Sequence, residues 1–375
     1  MRRTDIDGLR ILICIGIILA HAFLIFAAEP RYHLKSAEVW PVASVAFEFF
    51  RVTTTPLFFT IAGWSSVVSL RRRSPGRYVL ERISRLLVPL IAGIFLFGPI
   101  IKYIELSHGR DVGFHDWRMV GDLQMSFFQF LPLSLTRTKL LTWSHLWFLV
   151  YLLPISLMLL PLLMQLARGV PRTTVPAAFV VYLPAIPMMA LLVAIKGYWP
   201  FLPTLLTDWN FFYYALLFAF GAGIAAWPGF ETRLQAEAPR LLVLGLLAFT
   251  GLILSGESQV GRLFVGLTAW CCIAAGFGLA ARYKPAATPA LNYLSEATMP
   301  VYIIHHAPLL LIGMAVLPLT IPVWLKVIVI WLATSAVAMA AYHWLIRPWP
   351  PVRFLMGMTV RAPKIISAPQ PQPNI

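Results

Sequence analysis

The sequence is divided into apolar runs long enough to cross a lipid bilayer. A transmembrane helix needs about 20 predominantly apolar residues, and ten runs approach or exceed that length. They cover residues 9–28, 46–69, 86–106, 143–166, 174–195, 209–227, 240–255, 260–281, 297–317 and 322–345. Hydrophobic residues make up 59% of the 375 positions and charged residues 12%, which is outside the range of soluble globular proteins. The sequence therefore predicts an all-α, polytopic integral membrane protein with about ten transmembrane helices.

Basic residues lie mainly in the short links between these runs. The net charge of +15 would suggest a nucleic-acid partner in a soluble protein. Here the charge borders a lipid bilayer, and no nucleic acid is expected. The densest basic block runs from Arg71 to Arg85 and holds six arginines on the same side as the other basic links. The positive-inside rule then places both termini in the cytoplasm.

Two segments extend beyond the predicted helices. Residues 1–361 form the expected membrane domain, and the proline-rich residues 362–375 form an expected disordered cytoplasmic tail. The longest outer segment, at about 107–142, mixes acidic and aromatic residues with His108 and His115. It suits either a sugar-binding surface or a lid without substrate contacts.

The first run carries ionisable residues that a lipid-facing helix would not tolerate. Arg10 and His21 are eleven residues apart, which on a helix is three turns plus ~20° and ~16 Å along the axis. Asp7 lies one turn before Arg10, so all three share one face. An ionisable group near the bilayer centre costs roughly 2.5 kcal/mol or more, so this face is expected to line the protein interior or a watery cavity.

His21 lies fourteen residues beyond Asp7, so on a helix it is ~20 Å into the membrane, past its middle, whereas Arg10 lies nearer the cytoplasm. A neutral imidazole at the depth of His21 could act as a general base, and Arg10 could bind a phosphate or an amide carbonyl. The alternatives are a histidine hydrogen-bonded only for packing and an arginine that merely pairs with Asp7. Cys14 lies near the same face, either as an acyl-carrying nucleophile or as a small buried hydrophobe.

Other polar residues within or beside the runs are candidates for the same site. Glu48 and Arg51 are spaced i,i+3 and can pair on one helix face. Arg82 and Arg85 could bind the phosphates of a coenzyme or the headgroups of anionic lipids. His145 opens the fourth run within an aromatic string, where a purely interfacial role is also open.

The ninth run contains two adjacent histidines, His305 and His306. Neighbouring residues on a helix point in directions about 100° apart, so at most one of the two is expected to join a given site. The sequence has no metal-ligand spacing, glycine-rich phosphate loop or nucleophile elbow, and no metal is expected.

Several of these segments resemble the acyltransferase-3 family of multi-span membrane O-acyltransferases. The first helix of that family carries an Arg-x10-His pair, as do Arg10 and His21 here. Residues 56–64, PLFFTIAGW, are similar to the family's second-helix motif PLFFxISGY. Further similarities to the family, or to its glucan biosynthesis protein C branch, are at residues 82–89, 144–149, 209–211 and 302–306.

The resemblance implies transfer of an acyl group across a bacterial inner membrane. The donor would be an acyl-CoA, succinyl-CoA or acetyl-CoA, entering from the cytoplasm, and the acceptor a periplasmic glycan. The most specific expectation is succinylation of osmoregulated periplasmic glucan. The catalytic residues would be His21 and Arg10. Donor-binding residues would be Arg10, Arg82, Arg85, His145 and His305, and acceptor-binding residues Glu48, Arg51 and Trp147.

Two other functions fit the same residues. A proton-coupled transporter could use Arg10, His21 and Glu48 as a proton relay, although it would have no reason to bind CoA stoichiometrically. No internal repeat is visible in the chain, which disfavours an inverted-repeat transporter. A second alternative keeps acyl transfer but changes the acceptor to lipopolysaccharide or exopolysaccharide.

Overall fold

The fold is described by a computed structural model that covers residues 3–30, 32–108, 123, 125–194, 209–256 and 258–359. In these residues all regular secondary structure is helical. The α-helices are α1 Thr4–Phe26, α2 Pro41–Leu70, α3 Pro75–Arg82, α4 Val88–Leu96, α5 Gly98–Ser107, α6 Phe127–Thr136, α7 Trp147–Met158, α8 Leu160–Arg168, α9 Ala185–Ala194, α10 Trp209–Ala226, α11 Pro228–Ser255, α12 Gln259–Arg282, α13 Pro289–Ile304, α14 His306–Val316, α15 Val323–Ala341 and α16 Pro350–Leu355. Two π-helical segments, Ile83–Leu87 and Tyr342–Ile346, and three 3₁₀ segments, Thr138–Leu140, Ser144–Leu146 and Ala178–Val181, complete the described helices.

Five helices in the described residues are long and apolar enough to cross a membrane, and three bent pairs raise that number to as many as eight. The five are Thr4–Phe26, Pro41–Leu70, Pro228–Ser255, Gln259–Arg282 and Val323–Ile346. The bent pairs are Pro75–Leu96 with Gly98–Ser107, Ser144–Met158 with Leu160–Arg168, and Pro289–Ile304 with His306–Val316. The prediction of an all-helical, multi-pass membrane protein is confirmed.

The ten-span count and the cytoplasmic termini stay predictions. The predicted runs at 174–195 and 209–227 correspond to shorter apolar helices, Ala178–Ala194 and Asn210–Ala226. The seventh run, expected at 240–255, begins earlier, because α11 continues through Pro239 from Pro228. Within the outer segment expected at 107–142, residues 109–122 and 124 lie outside the described residues, and α6 lies in the remainder. The tail at 362–375 also lies outside them.

Helices α2 and α10 pack with their backbones in close contact. A Cβ atom added to Gly63 would lie 1.8 Å from the carbonyl oxygen of Phe218, and one added to Gly221 would lie 1.8 Å from that of Thr60. Small residues allow such an approach between membrane helices. Gly63 belongs to the PLFFTIAGW segment, so helix packing explains why this position of the motif is a glycine.

The link between α1 and α2 folds back onto the bundle. Ser36 donates its backbone N–H to the carbonyl of Ile25 at 2.9 Å. The Lys35 ammonium donates to two carbonyls near the end of α1, at 2.5 and 2.6 Å, and so caps that helix. As a result Tyr32 and His33 are buried against the helices instead of being solvated.

Candidate active site

Five of the eight histidines come together inside the helical bundle. This histidine cluster consists of His21, His33, His145, His305 and His306. The ring centroid of His306 lies 4.8 Å from that of His21 and 4.6 Å from that of His145. It also lies 5.4 Å from the ring of His33. The cluster joins α1, the α1–α2 link, the 3₁₀ segment before α7 and the junction of α13 with α14.

Both adjacent histidines of the ninth run belong to this cluster, so the expectation that at most one could join a site is wrong. The helix breaks at His305: α13 ends at Ile304, α14 begins at His306, and the two helices are bent by 64°. Pro308 gives the reason, because it has no N–H for the carbonyl of Ile304 and its ring crowds that carbonyl. Across this break, both imidazoles lie beside His21.

Three imidazoles of the cluster are close enough to share a ligand. One ring nitrogen from each of His21, His305 and His306 lies within 4.8 Å of the others. Histidine nitrogens in such a group are ordinary ligands for a transition metal such as Zn²⁺. The spacing of these residues in the sequence did not predict this grouping.

A buried hydrogen-bond chain orients His21. The Nδ1 atom of His305 lies 2.7 Å from the carbonyl oxygen of Tyr302, which can only accept, so Nδ1 carries the proton. The Nε2 atom of His305 therefore has a lone pair, and it accepts the Nδ1–H of His21 at 3.2 Å. Neutral His21 then keeps its free lone pair on Nε2. This is the state that a general base requires.

Other buried polar atoms beside His21 have no hydrogen-bond partner in the described part of the chain. His145 donates its Nε2–H to the carbonyl of Ile303 at 3.0 Å, which leaves an unpaired acceptor at Nδ1. Neither ring nitrogen of His306 has a partner, and neutral imidazole always carries one N–H. The hydroxyl of Tyr32 is also unpaired, and burial raises the pKa of Tyr32 well above its usual value, so the hydroxyl stays a donor. Because unpaired buried polar atoms are costly, these atoms are suited to bind a polar substrate.

Exposure distinguishes His21 from the rest of the cluster. His305 is 0% exposed, His306 1% and His145 5%, whereas His21 is partly exposed. A substrate can therefore reach His21 first, while the buried histidines hold the His21 ring in place.

A second polar network lies on the other side of His306. His33 Nδ1 is 2.9 Å from a carboxylate oxygen of Glu105, and His33 Nε2 is 2.8 Å from the hydroxyl of Ser144. Lys102 donates to the other carboxylate oxygen of Glu105 at 2.7 Å. His33, Glu105 and Ser144 are all buried.

Arg10 and Arg82 each bond to a serine near the C-terminal end of α2. Arg10 donates to the hydroxyl of Ser65 at 2.6 Å, and Arg82 donates to the hydroxyl of Ser66 at 3.0 Å. Tyr78 also donates to Ser66, and its ring lies 4.9 Å from the guanidinium carbon of Arg82. We call these two arginines with their two serines the arginine site.

The two interpretations of Arg10 are compatible. Arg10 lies 3.8 Å from a carboxylate oxygen of Asp7, which also accepts from the hydroxyl of Ser295 at 2.9 Å. The same guanidinium thus contacts both the carboxylate and Ser65. Arg85 lies in the π-helical segment that follows α3, and it is exposed.

The predicted acceptor-binding residues have contact partners outside the histidine cluster. Glu48 accepts from Nε of Arg51 at 2.7 Å, so these two residues pair with each other on α2. Trp147 packs against an aromatic group between α2, α7 and α10, which comprises Phe59, Tyr151 and Tyr214. Cys14 is buried, with its sulfur 3.6 Å from the carbonyl oxygen of Thr298.

Sequence reasoning identified His21, His145 and His305, but it overlooked His33, Glu105 and Ser144. A signal was present for one of these. Lys102 and Glu105 form an i,i+3 charged pair inside an apolar run, and such charges in membrane segments usually mark a functional site.

A family model described as an acyltransferase domain matches residues 3–343 of this chain. The chain belongs to the acyltransferase-3 family. Comparisons with curated proteins and with solved structures find no match. The match extends from the residue before α1 to the second π-helical segment, so it includes both the histidine cluster and the arginine site. The histidine cluster is therefore the candidate active site of a membrane acyltransferase.

Proposed function

We propose that this acyltransferase moves an acyl group from acyl-CoA to a hydroxyl of a periplasmic glycan, with His21 as general base. The observation that carries the proposal is the chain from the Tyr302 carbonyl through His305 to His21. It leaves the one partly exposed imidazole of the cluster with a free lone pair on Nε2.

The chemistry uses the atoms that lack protein partners. The acceptor hydroxyl gives its proton to Nε2 of His21 as its oxygen attacks the acyl carbon. His305 accepts the Nδ1–H of the resulting imidazolium and stabilises its charge. The free N–H of His306 can donate to the carbonyl oxygen as negative charge develops there. The C–S bond then breaks and CoA leaves as a thiolate, which gains a proton as His21 loses one.

The arginine site is the proposed donor site. Arg10 and Arg82 donate to serine hydroxyls, and Arg10 also lies 3.8 Å from the Asp7 carboxylate. Phosphate oxygens can replace the hydroxyls in stronger, charge-assisted hydrogen bonds. Arg10 lies three helical turns from His21, or ~16 Å along the axis. The extended pantetheine arm of CoA would cover this separation. Succinyl-CoA and acetyl-CoA are the proposed donors, with Arg85 as an additional phosphate contact.

The acceptor is proposed from the resemblance to the glucan biosynthesis protein C branch. A succinyl group on osmoregulated periplasmic glucan is the specific product, in a bacterial inner membrane with both termini in the cytoplasm. Glu48, Arg51 and Trp147 remain proposed acceptor contacts. For the Glu48–Arg51 pair, this role requires that glycan hydroxyls compete with the existing ion pair.

Mass spectrometry of the purified protein in nanodiscs tests the function directly. Wild type and His21→Ala are incubated with succinyl-CoA or acetyl-CoA, with and without a linear or cyclic glucan. Glucan that gains one acyl mass only with the wild type supports the proposal. CoA release without acylated glucan contradicts the acceptor assignment, and no binding or turnover of either CoA contradicts the donor assignment.

A further inference from the structure

A serine, a histidine and a carboxylate form a connected buried triad beside the histidine cluster. The hydroxyl oxygen of Ser144 lies 2.8 Å from Nε2 of His33, and Nδ1 of His33 lies 2.9 Å from a carboxylate oxygen of Glu105. These distances are those expected for a nucleophile, its base and the group that orients the base. The three residues come from the α1–α2 link, α5 and the segment before α7.

The partners of His33 assign its protons. The Glu105 carboxylate can only accept, so Nδ1 of His33 carries a proton, and in the neutral imidazole Nε2 has the lone pair. Nε2 must then accept from the hydroxyl of Ser144. Lys102 donates to the second carboxylate oxygen of Glu105, which favours the ionised form of that carboxylate. The hydrogen-bond directions are therefore those that would activate the serine.

The backbone of Ser144 is strained. Its φ angle is +39°, and in the described residues it is the only residue other than glycine with a positive φ. A side chain in this region costs energy that the surrounding structure must supply, and such residues concentrate at functional sites.

The triad is close to the proposed base. The ring of His306 lies 4.8 Å from that of His21 on one side and 5.4 Å from that of His33 on the other. Ser144 immediately precedes His145, whose ring stacks on His306 at 4.6 Å. By the predicted orientation, α1 ends and α7 begins on the outer side, so Ser144 lies toward the acceptor.

We propose that Ser144 carries the acyl group as an ester between two half-reactions, with His33 as its base and Glu105 orienting His33. This inference rests on the proposed acyl-CoA-dependent transfer. It divides the passage of the acyl group across the membrane into two steps.

In the first half-reaction the Ser144 oxygen attacks the thioester carbon. Its proton moves to Nε2 of His33, the C–S bond breaks, and CoA leaves as a thiolate. The protein then holds an acyl ester on Ser144 and a protonated His33 paired with Glu105.

In the second half-reaction the acceptor hydroxyl attacks the ester carbon and gives its proton to His21. The bond from the acyl carbon to Ser144 breaks, and the serine oxygen recovers its proton from His33. His21 then loses its proton to water and the CoA thiolate gains one. The net products are the acylated acceptor and CoA thiol.

Intact-protein mass spectrometry tests this intermediate. The full-length protein in nanodiscs is incubated with succinyl-CoA or acetyl-CoA without acceptor and quenched in acid. We expect the protein to gain one acyl mass, located on Ser144 by peptide sequencing. Ser144→Gly should abolish the gain and lower glucan acylation at least 100-fold. The protein should stay folded, because glycine accepts the positive φ and so offsets part of the cost of the lost hydrogen bond to His33.

Matched variants isolate the role of Ser144. Ser156 is a buried serine on α7 that bonds only to a backbone carbonyl of its own helix, at 2.8 Å, so Ser156→Ala should keep the acyl gain. Cys14→Ala should also keep it. Addition of glucan to acylated wild-type protein should remove the acyl mass and produce acylated glucan.

The outcomes separate this inference from the function on which it rests. Glucan acylation by the wild type with no acyl-protein, and with Ser144→Gly fully active, would overturn the intermediate and leave direct transfer. An acyl group located on Cys14 would also overturn it. No consumption of either CoA by the wild type would instead overturn the proposed function.

Discussion

The arginine site and the histidine cluster both include a residue from one face of α1, but they differ in solvent exposure and in their hydrogen-bond partners. At the arginine site Arg10 is 36% exposed, and both arginines have hydroxyl partners that water or phosphate can replace. In the histidine cluster, His305 and His306 are at most 1% exposed, and the ring nitrogens of His305 bond to groups in the protein interior. The first arrangement suits reversible binding of a charged ligand, and the second suits a reaction that depends on geometry.

This difference predicts how each site responds to substitution. A charge near water contributes modest, salt-dependent binding energy. The imidazole proposed as general base has no equivalent substitute, because water is a much weaker base. Variants of the cluster should therefore lower kcat, and variants of the arginine site should raise KM for the donor.

Loss of the proposed base should have the largest effect. We expect His21→Ala to lower the rate of acyl transfer by about 10³-fold because no other partly exposed imidazole of the cluster can replace it. Binding of CoA, measured by isothermal titration calorimetry in nanodiscs, should be unchanged. If CoA binding is lost while the protein stays folded, His21 belongs to the donor site and the distinction between the two regions fails.

Loss of the partner that orients His21 should have the next largest effect. His305→Asn should lower kcat by about 100-fold, because His21 loses the partner that fixes its proton on Nδ1. KM for acyl-CoA should stay near the wild-type value. A raised KM with normal kcat would restore the sequence-based assignment of His305 to donor binding. The exposed His343→Asn is the matched control.

The arginine site should show a smaller effect of a different kind. Arg10→Ala and Arg82→Ala should each raise KM for acyl-CoA by about 10-fold, or ~1.4 kcal/mol, as expected for loss of a hydrogen bond to a charged group. Initial-rate kinetics at two salt concentrations checks this, because KM of the wild type should rise with ionic strength. If kcat falls and KM does not change, these arginines act in the chemical step.

Arg85 should show the smallest effect. Its side chain is exposed, so Arg85→Ala should raise KM for acyl-CoA only about threefold, within the range of exposed ionic contacts. Arg77→Ala, another exposed arginine of the same basic block, should change KM by less. Equal effects of the two variants would mean that the block acts as a general positive surface.

The sequence predicted the parts of this site that follow from helical periodicity and membrane energetics. His21 and Arg10 could be assigned to one protein-facing side of α1 because lipid does not tolerate them. The same reasoning failed at His305 and His306, where it assumed a continuous helix. The helix breaks at His305, because Pro308 cannot bond to the carbonyl of Ile304, and this bend brings His306 into the cluster. Local periodicity does not predict such a bend.

By itself, the sequence determined a helical membrane protein and most of its basic and catalytic candidates, because apolar length and buried charge are local properties. Only the tertiary structure decided which of these residues meet. His33 reaches His306 because the α1–α2 link folds inward, and Ser144 meets His33 through a strained turn before α7. Both contacts join residues far apart in the chain. They form because tertiary packing brings buried polar groups together, and no local sequence pattern predicts such pairs.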